Sequence, residues 1–402
     1  MLVAVPICLY SLVYVMRVSP AALKDYMIHM YGINMVQFGV LSSCVYWSYT
    51  PMQLFVGPII DFHGSRNTIL ASCLTIAAGT LLIGYSNFFS LTVVGYIFVG
   101  IGSSFAFPCV LKVGSETFPE KSTLIAGIAT SIGIIGAIIG QTVLYKAVHF
   151  YGHVIMSSVG VCISVFLAFV TWNIFDYTKQ DSNNFQIGDY LKITIKILFN
   201  RTIFINGLIG MCYIIPIITF TSSWAITYFE HVHVLESNIA ADASTYMYYG
   251  WFFGCLSIDQ ISKYIRINIL MSVGGILAAM TFIALVYFSF ESLFYIKLLL
   301  FLTGFFLGVE VLIFTIATYV IDKTYLASAI SCTNMLCMMS GFMQPIIGYI
   351  LDLSWEGVII NEIKIFSQAG FQNALFIIPL FLLLGSYLSL YLPSKPLVDL
   401  HE

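Results

Sequence analysis

Apolar stretches of about twenty residues, each closed by a short polar interval, run the length of this chain, and a helix that long matches the hydrocarbon thickness of a bilayer. The pattern predicts spans near residues 2–24, 36–60, 68–87, 91–115, 123–145 and 153–175, then 202–228, 243–260, 267–289, 293–320, 325–350 and 371–392. Between the two sets lies the longest polar interval, Phe175 to Arg201, rich in Asp, Asn and Lys. The expected fold is all-α and membrane-embedded, about 12 transmembrane helices in two six-helix bundles, 1–175 and 202–402, with 176–201 as a cytoplasmic linker. A weak internal repeat agrees with duplication, since Val99–Pro108 (VGIGSSFAFP) and Thr303–Leu312 (TGFFLGVEVL) carry paired small residues in the fourth span of their halves.

Composition narrows the class further. The chain is 59% hydrophobic and 9% charged, against roughly 25% charged in soluble domains, so there is too little polarity to coat a water-facing surface. A net charge of -3 without any basic block supplies no counterion release, which excludes a nucleic-acid partner. The nine cysteines fall mostly inside apolar runs, with neither CxxC spacing nor clustered histidines, so no metal, cofactor or disulfide framework is expected. His231-Val232-His233 has no evident third and fourth ligand and reads as a solvated outer loop. The apolar N-terminus lacks a basic n-region and a cleavage site, and so reads as a first span rather than a removable signal.

Positive charge sets the orientation, because cytoplasmic loops retain Lys and Arg. With both termini cytoplasmic, the inner loops receive Arg66, Lys121, Lys179, Lys192, Lys196, Arg201, Lys263, Arg266 and Lys323, with Lys395 in the tail. The outer loops then receive Lys24, Lys146, Lys297 and Lys364.

Ionisable groups inside spans are costly in hydrocarbon and therefore mark function. Three stand out: Arg17, Lys112 and Glu310. The fork of Arg17 suits a two-point grip on a carboxylate, and Pro20 just after it predicts a helix break. Glu310, in the middle of the tenth span, suits a proton acceptor or a clamp for an amine. The internal repeat sets Lys112 some six residues deeper than Glu310, roughly 9 Å along a helix, of which long side chains would bridge a part; the two readings are a pair that closes the cytoplasmic side and a lysine that reaches the inner headgroups. Tyr14, Tyr46, Tyr49, Gln53, Gln141, Tyr213, Trp224, Asn334 and Gln344 are candidates for shaping a pocket, each weighed against plain packing. Pro51 and Pro345 mark further places where a helix is expected to break, and Gly136 with Gly140 reads as tight helix packing.

Between the second and third spans stands Gly57-Pro58-Ile59-Ile60-Asp61-Phe62-His63-Gly64-Ser65-Arg66, which resembles the loop motif G-x3-D-[RK]-x-G-x-[RK] of the major facilitator superfamily. Phe62 replaces the basic residue that follows the aspartate in that motif, and the second-half copy around Gly254 and Asp259 is degenerate. The resemblance implies that Gly57, Asp61, Gly64 and Arg66 form a conformational latch between helices. Arg17-Val18-Ser19-Pro20, Tyr49-Thr50-Pro51-Met52-Gln53, Phe105-Ala106-Phe107-Pro108, Gly136 to Gln141 and Gln344 to Gly348 are similar to stretches of bacterial uptake permeases near the lysosomal dipeptide carrier branch.

That likeness implies alternating-access secondary transport of an amino acid, dipeptide or similar zwitterion or organic acid, by a monomer in the bacterial inner membrane. Arg17, Tyr46, Tyr49, Gln53, Lys112, Gln141, Trp224, Glu310 and Gln344 would meet the substrate, and Glu310 would couple a proton. No GxxxxGK[ST] loop, GxSxG or HExxH occurs, which speaks against ATP hydrolysis and against the rival class of intramembrane enzyme or sensor. Multidrug or metabolite export within the same superfamily is the runner-up, and the absence of proline between Gly136 and Gly140 tilts toward uptake.

Overall fold

Helices occupy nearly all of the places that the hydropathy pattern assigns to them. The computed structural model describes residues 2–118, 122–175, 187–288, 290, 292–321, 326–360 and 363–393. Lys121, Lys179, Lys323 and Lys395, together with positions 176–186 of the linker, lie outside those residues. The chain divides into two units, Met1–Ile195 and Lys196–Glu402. Ten stretches among the described residues are long and apolar enough to cross a membrane, five in each unit. The second and eighth spans complete the pattern as the first part of helix Met35–Tyr85 and as helix Ser237–Ile261, which carries Asp242 and Asp259. Besides the helices, the described residues include one two-residue strand pairing, Ile359–Ile360 with Ile363–Lys364, before the twelfth span.

Local chemistry explains where the spans begin and turn. Asn34 and Gln37 form a reciprocal capping box, each side chain accepting the other's backbone N–H at 2.8 and 2.9 Å. Asn200 caps the seventh span through the N–H groups of Thr202 and Ile203, and Ser367 caps the twelfth through Gly370. The second and third spans are joined without a loop: Gly64 stands at φ 76° and ψ 159°, a conformation open to glycine alone, and turns the chain there.

Close helix contacts rest on missing side chains. A Cβ at Gly136 would strike the Ser11 carbonyl and one at Gly140 would strike Val18, so the fifth span packs against the first as its GxxxG spacing predicts. In the fourth span a Cβ at Gly100 would strike the Val45 carbonyl, and in the tenth a Cβ at Gly304 would strike the Met247 carbonyl. Gly100 and Gly304 are equivalent positions of the sequence repeat, and each rests on the second helix of its own unit. Both fourth spans also break at matched places: the first between Ser103 and Ala106, the second in a 3-10 turn Gly308–Val311.

Several expected features differ. The first span runs Ala4–Tyr31 rather than to residue 24, so Lys24 lies inside a helix and not in an outer loop. The helix continues through Pro20, because the Ser19 hydroxyl donates to the Met16 carbonyl at 2.8 Å, the group that the proline leaves without its usual amide partner. It also continues through Pro51, whereas Pro345 does follow a break, the 3-10 turn Met339–Phe342. His231 belongs to helix Ala225–Val232 and accepts the Phe366 N–H at 3.3 Å, so it is not a solvated loop residue. The sixth span, His153–Ile174, turns Phe166, Phe169 and Trp172 outward, as a lipid-facing helix does.

Candidate functional site

In the first unit the chemistry gathers around Arg17. The side chain is only 6% exposed, in a helix whose other buried positions are mostly apolar. Its guanidinium carbon stands 4.6 Å from the Tyr49 ring centre, 5.2 Å from Tyr14 and 6.0 Å from Tyr46. Ring faces attract a cation, and three of them compensate part of the lost hydration. The Nε and Nη2 groups of Arg17 nevertheless have no hydrogen-bond partner among the described residues. No carboxylate among those residues makes an ion pair with it either. Two donors of a buried cation are thus left without an acceptor among the described residues, an arrangement that costs free energy.

Tyr10 extends the cage by one turn: its hydroxyl lies 3.3 Å from that of Tyr14, and its ring packs 5.1 Å from Phe107. Of the residues expected at the site, Tyr46 and Tyr49 are therefore brought to Arg17. Gln53 is committed elsewhere, its amide donating to the Ser104 carbonyl at 3.2 Å, which ties the second span to the break in the fourth. Gln141 is buried in a π-helical turn, Gly140–Leu144, that interrupts the fifth span beside its contact with the first. Lys112 faces Glu116 one turn on, at 3.7 Å, as a half-exposed pair.

The second unit has a comparable centre in the tenth span. Glu310 is 5% exposed within the 3-10 turn, and no cation among the described residues pairs with it. The turn is wedged on three sides. Gly308 meets the Gly254 backbone of the eighth span, Val309 meets Gly274 of the ninth, and Ile313 meets Gly210 of the seventh, while the Ile313 carbonyl accepts from Asn206 at 2.7 Å. The seventh span is itself π-helical over Pro216–Trp224, where Thr219, Thr221, Ser222 and Ser223 are all buried and Trp224 closes the segment. Gln344 donates to the Ile218 carbonyl at 2.8 Å and Thr219 to the Ser340 carbonyl at 3.1 Å, so side chains take up carbonyls that an irregular backbone exposes.

The motif between the second and third spans is described in part. Gly57 is helical, Gly64 makes the turn, and the Asp61 side chain lies outside the described part. Arg66 donates to the Trp172 carbonyl at 2.9 Å and lies 4.5 Å over the Trp172 ring, at the C-terminal end of the sixth span, where a cation is favoured.

Two features escaped sequence reading. The hydroxyl-rich π segment was visible as four polar residues, Thr219, Thr221, Ser222 and Ser223, within five positions of an otherwise apolar span. Lys24 and Tyr10 were visible as positions seven residues to either side of Arg17, which a helix places on one face.

Each unit is a bundle of apolar helices brought together by small residues, with Arg17 buried in the first and Glu310 in the second, as in a multi-pass membrane protein. The chain belongs to the Major Facilitator Superfamily, whose family model matches residues 7–345. Solved structures of similar fold include the nucleoside transporter NupG (TM-score 0.74, 13% identity, 98% of this chain and 100% of that one). A bacterial homologue of the human lysosomal transporter Spinster aligns with TM-score 0.72 and 14% identity over 97% of this chain and 95% of that one. At such identities the likeness concerns the fold. Among curated proteins, a probable sulfoacetate transporter, SauU of Cupriavidus necator, is 25% identical over 145 residues, 36% of this chain. The alignment spans only 34% of that relative's length. Membership of that family makes the protein a membrane transporter of the secondary type.

Proposed function

We propose that this transporter carries a small organic acid or zwitterion whose carboxylate or sulfonate is gripped by Arg17, with Tyr46 and Tyr49 as walls, by alternating access and with proton coupling through Glu310. The observation that carries this reading is the pair of buried, unpartnered Arg17 donors inside a tyrosine cage. A planar fork of donors matches the paired oxygens of a carboxylate or sulfonate, and leaving it empty is costly, so the anionic end of a ligand is what completes the site. The name of the curated relative, a carrier of a sulfonated carboxylic acid, fits the same chemistry.

Glu310 has the burial and, among the described residues, the lack of an ion-pair partner that a proton-exchanging carboxyl, or a clamp for an amine, requires. Gln53, Gln141, Trp224 and Gln344 shape the surroundings, Lys112 trades partners as the cytoplasmic side closes, and the Gly57–Arg66 motif acts as the latch. In this reading the chain works as a monomer in the bacterial inner membrane, both termini in the cytoplasm, importing its substrate.

The test is uptake of radiolabelled sulfoacetate, amino acids and dipeptides into proteoliposomes under an imposed proton gradient. At least one anionic or zwitterionic probe should accumulate, collapse with a protonophore, and fail to accumulate when Arg17 is replaced by Gln in protein that still inserts. Wild-type uptake by Arg17→Gln would remove the anion clamp from the mechanism.

A further inference from the structure

The approach to the seventh span carries charge and apolar surface that substrate binding does not use. Helix Ile187–Leu198 ends in a turn at Phe199 and Asn200, where the Asn200 N–H donates to the Ile197 carbonyl at 2.9 Å and the Asn200 side chain caps the span that begins at Arg201. Ile197 is buried, whereas Lys196, Phe199, Arg201 and Phe204 are exposed, Phe199 to 73%. All of these residues belong to the second unit. Arg201, Phe204 and the half-buried Ile205 and Leu208 follow at the spacing of one helix face, while Ile203, Asn206 and Gly207 are buried, so the outward face starts with a cation and continues apolar. The sequence from Tyr190 to Phe229 contains three cations, Lys192, Lys196 and Arg201, and no acid. Lys192 is engaged with another group. Among the described residues no ion pair holds Lys196 or Arg201. Arg201 also occupies the first position of a helix, the positive end of its dipole, where a cation is disfavoured unless an anion lies beside it.

We propose that Lys196, Phe199 and Arg201 hold the headgroup of an anionic phospholipid, with the phosphate at the two cations and the Phe199 and Phe204 rings against the glycerol and upper acyl carbons. Depth agrees with this. The span Arg201–Val232 has 32 residues, about 48 Å at 1.5 Å per residue, against a hydrocarbon core of about 30 Å, so its first turn stands among the headgroups. Aromatic rings flanked by Lys or Arg settle at that level, the long basic side chains reaching outward to phosphates. Each part of the elbow selects the occupant. A free anion would use the cations and leave two phenylalanines in water, and a zwitterionic lipid would cover the rings but bring its own cation toward Lys196 and Arg201. A lipid of net negative charge satisfies both.

The experiment uses the full-length protein, purified in a neutral detergent and stripped of lipid, and reads its melting temperature against added phosphatidylglycerol, phosphatidylcholine of the same chains, and glycerol phosphate. Phosphatidylglycerol should raise the melting temperature at lower concentration than phosphatidylcholine, and glycerol phosphate should leave it unchanged. A basic residue at an anionic surface contributes roughly fivefold to affinity, so Lys196→Gln and Arg201→Gln should each raise the half-saturating concentration of phosphatidylglycerol by about that factor, and the double variant by roughly 25-fold. Both side chains are exposed, so these variants change charge and not the core, and exchanging the two residue types, Lys196→Arg with Arg201→Lys, should keep the wild-type response. Arg266→Gln, which removes an exposed cation just before the ninth span, should also keep it. An equal response to the two lipids, a shift by glycerol phosphate as large as that by phosphatidylglycerol, an unchanged half-saturation in the double variant, or an equal loss in Arg266→Gln would each overturn the proposal. Every arm is read without substrate, so the result is independent of whether Arg17 grips an anion.

Discussion

Arg17 and Glu310 illustrate opposite ways of hiding charge. Arg17 is wrapped in ring faces that soften its desolvation yet leave two N–H groups idle, whereas Glu310 is held in a tight turn with no cation beside it among the described residues. The first arrangement asks for directional acceptors, so Arg17→Lys, which keeps the charge and loses the fork, should still weaken probe binding by roughly tenfold or more, the worth of a charge-assisted hydrogen bond. Binding of the transported probe by isothermal calorimetry checks this, and wild-type affinity would count against a two-point grip. The second arrangement concerns protons. Glu310→Gln should abolish accumulation driven by a proton gradient while leaving substrate exchange across the membrane intact, and accumulation at the wild-type level would exclude Glu310 from coupling.

Helices and turns carry their own consequences. Gly64 occupies a left-handed region that a Cβ makes costly, by about 1–2 kcal/mol, so Gly64→Ala should lower the melting temperature measured by nanoscale fluorimetry and change the angle at which the second span meets the third. Val234 is the reverse case. This β-branched residue sits at φ 51°, just beyond the seventh span, and Val234→Gly should raise the melting temperature, since the loop carries a strain that glycine does not feel. Next to it, burial holds the His233 imidazole below its ordinary pKa, so the folded state favours the neutral ring. That contribution is fully present above about pH 6.5 and is lost as the pH falls through the lower folded value. Thermal stability should accordingly drop on acidification, and the drop should be shallower in His233→Gln.

At the scale of the molecule, the two units repeat one plan with different chemistry. The equivalence of Gly100 and Gly304, each seated on a backbone carbonyl of its own unit's second helix, and the matched breaks after them are what a duplicated bundle leaves behind. The cation has stayed in the first unit and the acid in the second. Cysteines placed at the two termini should be labelled only by membrane-permeant reagents in intact cells, and labelling by an impermeant reagent would reverse the orientation proposed from the lysine and arginine distribution.

Span positions and the glycine seam at Gly136 and Gly140 were legible in the sequence, because each follows from apolar or small-residue spacing along one stretch of chain. The presence of a buried cation in the first span was legible for the same reason, and so was the acid in the tenth. The rest depended on partners far off in sequence. Only packing shows that Tyr49 and Tyr46 close on Arg17 while Gln53 is spent on Ser104, and that Gln344 secures the irregular seventh span. Lys24 lies inside a helix that runs on to Tyr31. Hydropathy measures how much a residue costs in lipid, and it is silent on which neighbour, or which passing solute, repays that cost.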